Sequence, residues 1–140
     1  MVETRAVGFS FHMTSHTALR ISGIVGFLAV ALGAFGAHGL HDLLEKNARL
    51  ATWETAVLYH LTHSVAMLAI ATLRPVRAIA FRLMLAGIVI FSGTLYVLAL
   101  TNVKWLGAVT PVGGLCLLAG WLVLAFGKAQ PEQDRAAMKV

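Results

Sequence analysis

"RLMLAGIVIFSGTLYVLALTNVKWLGAVTPVGGLCLLAGWLVLAFG", residues 82–127, is two long apolar runs separated by the four residues 101–104. A helix rises about 1.5 Å per residue, so roughly 20 apolar residues cross the hydrocarbon of a bilayer, and each run reaches that length. Four connecting residues leave no room for an extramembrane domain, so the two runs read as an antiparallel helical hairpin. Working outward, two further windows of the same kind lie at residues 19–39 and 52–73. No alternating strand pattern competes with them.

Composition agrees with a bilayer as solvent: 59% of the 140 residues are hydrophobic and 12% are charged. A soluble chain of this length would need polar helix faces, whereas here the charges sit in the termini and the connections. The expected fold is all-α, a four-helix transmembrane bundle, with residues 1–13 a mobile leader, 14–127 the membrane domain and 128–140 a cytoplasmic tail. Arg20 followed by an apolar run imitates a secretory signal, but the run has the length of a full span, so an uncleaved first helix is expected. The net charge of +5 is spread one or two residues per junction. That spacing lacks the basic patch with interleaved aromatics of a nucleic-acid binder, so the bilayer is the expected partner, and no nucleic acid. Eight of the eleven Lys and Arg (Arg5, Arg20, Arg74, Arg77, Arg82, Lys128, Arg135, Lys139) fall on one side of the spans. The excess of basic residues predicts that both termini are cytoplasmic. Cys116 is the only cysteine, so no intrachain disulfide forms, and it reads as a small packing residue.

Between the first two spans, "GLHDLLEKNARLAT" (residues 39–52) places Leu40, Leu43, Leu44, Asn47, Leu50 and Ala51 at helical spacing. It reads either as a short helix in the outer interface or as an extension of the second span. Glycine supplies the packing signal: Gly26 and Gly33 lie one heptad apart, as do Gly113, Gly120 and Gly127, and Gly33, Gly36 and Gly39 crowd the end of span one. Small residues in rows let helix backbones approach closely where lipid offers no hydrophobic drive. Pro111 removes a backbone donor inside span four, and Gly113 and Gly114 follow it, a pattern for a kink or a short break. Trp53, Trp105 and Tyr96 suit anchoring at the outer interface, and Trp121 falls in the inner half.

Placed by depth, His38, His60, His63, Ser92, Thr94, Tyr96 and Thr110 converge on the outer half of the membrane, a candidate enclosed polar pocket fed by all four spans. His60 and His63 in "YHLTHS" lie on neighbouring faces of one helix. Two readings stay open. With His38 or His41 they hold a metal, a haem or a small solute, or relay protons; otherwise they are neutral rings hydrogen-bonded to Ser92, Thr94 or Tyr96. No cysteine or carboxylate stands at ligand spacing beside them, so neither a metal nor another cofactor is assigned.

"LGAFGAHGL", "WETAVLYHLTHS", "FSGTLYVLAL" and "LGAVTPVGGLCLLAGW", in this order and spacing, resemble the bacterial membrane family known as domain of unknown function 423, the YgdD-like proteins, with eukaryotic relatives called transmembrane protein 256. The resemblance runs over residues 14–126 and places that family's motif positions on His38, His60, His63, Pro111, Gly113 and Gly114. It implies a small multi-pass protein of the bacterial inner membrane and supplies no reaction. The first twelve residues depart from it, which makes Met13 a second candidate start. Function is therefore expected to be non-enzymatic: an accessory or oligomer-forming bundle acting with itself or another membrane protein. The alternative is binding or transport at the histidines. Glu54 and His60, six residues apart on different helix faces, do not make an acid–base pair.

Overall fold

A computed structural model describes residues 13–127. Apart from Met13, the expected leader and tail lie outside the described residues. Met13 itself packs against the buried core. Among the described residues there are five helices and no strand: α1 (Ser15–Ala37), α2 (His41–Lys46), α3 (Leu50–Thr72), α4 (Ala78–Thr101) and α5 (Leu106–Phe126). Helices α1, α3, α4 and α5 are long and apolar enough to span a membrane, as expected. In lipid every backbone donor must find its acceptor within the chain, which is why these apolar runs take the helical form.

Neighbours in sequence are neighbours in space: α1 packs on α3, α3 on α4 and α4 on α5. Helices α1 and α5 stand at the two ends of this row with no extensive packing between them among the described residues, and they are the least buried spans. The central pair supplies most of the core, with Met67, Ile70 and Ala71 of α3 against Ala80, Phe81, Met84 and Ile88 of α4, joined by Leu117 of α5.

Glycines set the distances. A Cβ at Gly33 would lie 3.2 Å from Val57 Cγ1, and one at Gly36 would collide with the Trp53 indole, so α1 lies close on α3. In the α4–α5 pair, Gly87 receives Leu117, Gly120 receives Met84, and Gly113 receives the backbone of Phe91. The seven-residue repeat of Gly113 and Gly120 is therefore one face of α5 laid on α4. Helix α5 runs unbroken through Pro111, which is exposed, so of the two alternatives, a kink or a short break, the break does not occur. Its place only six residues into the helix, on the surface, accounts for this: the donor it removes leaves just the Gly107 carbonyl, near the helix end, without its usual partner.

The segment after α1 is a separate short helix, deciding between the two sequence readings. Leu44 is fully buried, whereas Leu43 and Ala51 face outward. Asn47 follows α2, and its side-chain amide donates to the carbonyls of Ala99 (2.9 Å) and Leu100 (3.1 Å). These belong to the last turn of α4, where carbonyls lack intrahelical partners. Asn102 ends that helix in the left-handed region (φ 56°), and its Oδ1 accepts from Arg49 Nε at 3.0 Å. The α2 loop thus caps a helix about fifty residues downstream. Asn47→Ala is expected to lower stability by about 1–2 kcal/mol, since both carbonyls lose a partner. Hydrogen exchange should speed up locally at the end of α4; unchanged exchange there would contradict the capping role.

Candidate functional site

The candidate polar residues are distributed over three helix interfaces, not gathered in one pocket. Between α3 and α4, His60 Nδ1 and the Tyr96 hydroxyl share a hydrogen bond of 3.3 Å, and the backbone of Val25 on α1 also meets the imidazole. Tyr96 in turn packs on Trp53, ring centroids 4.6 Å apart. Trp53 and Tyr96 are both buried, so they tie helices together instead of anchoring the chain at the interface; Trp105, 66% exposed, keeps the anchoring position. Between α4 and α5, the hydroxyls of Thr94 and Thr110 lie 2.9 Å apart, each also within reach of a carbonyl of its own helix, Phe91 and Leu106. Each hydroxyl has one proton, so one of them bridges the helices while the other donates along its own.

Between α3 and α5, the Trp121 indole N–H donates to His63 Nε2 at 3.2 Å. An indole nitrogen only donates, so Nε2 carries no proton, and the ring proton of neutral His63 sits on Nδ1. From there it donates to the Tyr59 carbonyl one turn back, at 2.8 Å. Both nitrogens of His63 are thus committed to protein partners. This fixes one tautomer, and 15N NMR of His63 is expected to show a pyridine-type Nε2. Trp121→Phe should move that resonance by removing its donor, and an unmoved resonance would refute the assignment.

Three corrections to the sequence reading follow. His38 is the residue just past the last turn of α1 and is exposed, so it joins neither His60 nor His63. At about 1.5 Å per residue from Leu50, His60 lies near the middle of α3 and His63 just beyond it, so the polar layer reaches deeper than the outer half. The cause is that α3 starts two residues before the expected boundary. Ser92 is fully buried as expected, but its Oγ has no hydrogen-bond partner. Of the packing candidates, Gly33, Gly36 and Gly113 make close contacts between helices. Gly114 makes an ordinary contact with the Phe91 ring, and Gly39 meets only Phe35 of its own segment.

Sequence reasoning missed Gly87, whose signal was a lone glycine inside an unbroken apolar run, and the partnership of Trp121 with His63. It also gave no role to Ser64, whose hydroxyl donates to the His60 carbonyl at 2.6 Å. Among the described residues no group of three His, Cys, Asp or Glu side chains is arranged to hold a metal ion.

The sequence profile of the family described as "Protein of unknown function (DUF423)" matches residues 32–114, from the last turns of α1 into α5. The chain belongs to the DUF423 family. Similar proteins include a UPF0382 membrane protein of Staphylococcus saprophyticus, 40% identical over 76% of this chain and 92% of the relative. A second, of Staphylococcus epidermidis, is 44% identical over 74% of this chain and 88% of the relative. The UPF0382 inner membrane protein YgdD of Escherichia coli is 39% identical over 82% of this chain and 91% of that protein. No solved structure matches the chain. The resemblance carried by the four motifs therefore holds. This DUF423 protein is a small multi-pass membrane protein in which His60, His63, Thr94 and Thr110 make cross-helix contacts.

Proposed function

We propose that the protein is a non-enzymatic accessory of the bacterial inner membrane, with both termini cytoplasmic, that works through lateral contacts with itself or another membrane protein. The observation carrying this reading is the serial packing: α1 and α5 end the row with open apolar faces, while His60, His63, Thr94 and Thr110 are engaged across helix interfaces. Small residues on those helices permit close approach of a further helix. The orientation draws on the arginines at the end of the bundle opposite α2 and on the name of the Escherichia coli relative.

The alternative, a metal, haem or small solute held by His38, His60 and His63, draws little from the geometry, because His38 stands apart and His63 has no free ring nitrogen. Mass measurement of the gently extracted protein distinguishes the two. A species heavier than the 15.0 kDa chain, free of bound metal and pigment, is expected. A lone monomer, or one that carries a metal lost on His60→Ala, would overturn the proposal.

A further inference from the structure

The middle of α3 leaves two hydroxyls open to the bilayer. Thr62 lies about 18 Å along the helix from Leu50 and about 15 Å from Thr72, at the centre of the span, and it is exposed. Thr55, Thr72 and Thr101 are exposed as well, but each donates to a carbonyl of its own helix. Thr62 has no hydrogen-bond partner among the described residues, and neither has the hydroxyl of Tyr59, three residues earlier and 40% exposed. The stretches outside the described residues join at Met13, packed on the cluster that holds Ile70 and Ala71, and at Gly127, held by Arg77, so both meet the bundle near the end of α3 and not at its middle. Hydrocarbon supplies no water to take up such a hydroxyl, so the pair calls for a polar group from another chain.

The surface around them has room for a helix. Thr55, Thr62 and Ala69 repeat every seven residues on α3, as do Gly107, Gly114 and Trp121 on the side of α5 that reaches His63. Between these walls a groove of about 380 Å³ is lined by Ala69, Ile70, Leu73 and Leu124, with Arg77 at its mouth. We propose that a second copy of this chain packs here, α3 against α3 about a two-fold axis along the bilayer normal, each α3 entering the other copy's groove. This rests on the lateral association proposed above and gives it a seat. Such an axis keeps the topology of both copies and sets each residue opposite its own counterpart at equal depth. A hydroxyl is donor and acceptor at once, so Thr62 of one copy satisfies Thr62 of the other, with Tyr59 one turn away on the same strip. A different protein would need a polar group at that one depth, whereas a second copy supplies it by symmetry. The small residues let the backbones come close enough for the bond to form.

The test uses the full chain carrying Cys116→Ala and one introduced cysteine, oxidised in the membrane of bacterial cells. Thr62→Cys is expected to give a disulfide-linked species of twice the 15.0 kDa chain. It should form at least about fivefold faster than with Val65→Cys on the neighbouring face of α3 or Phe27→Cys on α1, both well exposed, since a disulfide needs its two Cα atoms within about 7 Å. In vesicles, energy transfer between labelled copies should show Thr62→Val raising the dissociation constant by about threefold to tenfold, the range of a hydrogen bond between spans, and Thr62→Ser changing it less than about twofold. Thr62 is exposed and unpartnered within its own described chain, so neither substitution disturbs the fold. Cross-links at Phe27 and not at Thr62 would overturn this seat and leave self-association standing. Equal rates at Thr62 and Val65, an unchanged dissociation constant in Thr62→Val, or capture of a different protein by Thr62→Cys would also overturn it. A chain that stays monomeric throughout would remove self-association as well.

Discussion

Gly113→Leu is expected to lose at least about 3 kcal/mol of stability, the upper range for overpacking, because the new side chain has no rotamer that clears its neighbour. A Cβ at this position would meet the backbone nitrogen and Cα of Phe91, and backbone of a spanning helix does not step aside as a side chain does. Helices α4 and α5 would have to separate, releasing Leu117 from Gly87 and Met84 from Gly120 as well. Denaturation in detergent, followed by tryptophan emission, measures the loss. Gly93→Ala is the control: nothing stands within 4 Å of its Cβ position, so replacing a helical glycine should be neutral or stabilise by up to about 1 kcal/mol. A wild-type midpoint for Gly113→Leu would mean that the helices do not cross at this residue.

The second large effect belongs to the α1–α3 contact. In a helix the side chain four residues on shields a carbonyl, and Gly36 leaves the Leu32 carbonyl open. The Trp53 indole N–H uses that opening and donates to it at 3.1 Å, with the ring lying on Gly36. Trp53→Ala is expected to cost about 3–5 kcal/mol through the cavity it leaves against Tyr96 and Leu32. Gly36→Val, which pushes the indole out, should cost about 2–3 kcal/mol. The pair should not add: once the indole is gone, valine at position 36 meets open space, so the double variant should fall short of the sum by more than about 1 kcal/mol. Additivity within about 0.5 kcal/mol would separate the two residues energetically and refute the contact.

The spans were legible because the bilayer imposes a length that hydropathy reports directly, and their antiparallel order followed from connections too short for anything else. Boundaries moved where charge misled. Helix α4 starts at Ala78, before Arg82, since a long arginine stem near a helix end lets the guanidinium reach the interface without ending the helix. Residue number gave only an approximate depth, which left Ser92, Thr94 and Tyr96 as equal candidates to meet the histidines; the structure pairs His60 with Tyr96. Azimuth was not: which face of each helix meets which neighbour depends on the row-like packing, and that decides that His63 meets Trp121 and not Ser92 or Thr94. His38 failed for a simpler reason, that the helix which would have aimed it inward stops at Ala37.

Pairing each span with the one made just before it has a consequence for biosynthesis. As a nascent chain enters the membrane, each of α3, α4 and α5 finds the helix that it packs on most already present. The loops to be closed are short, the setting in which assembly is fastest and idle exposed surfaces are briefest. Cutting the chain after α4 would remove the α4–α5 seam and the Trp121–His63 bond and leave the α1–α3 and α3–α4 seams in place, much as removing the last unit of a solenoid spares the units before it.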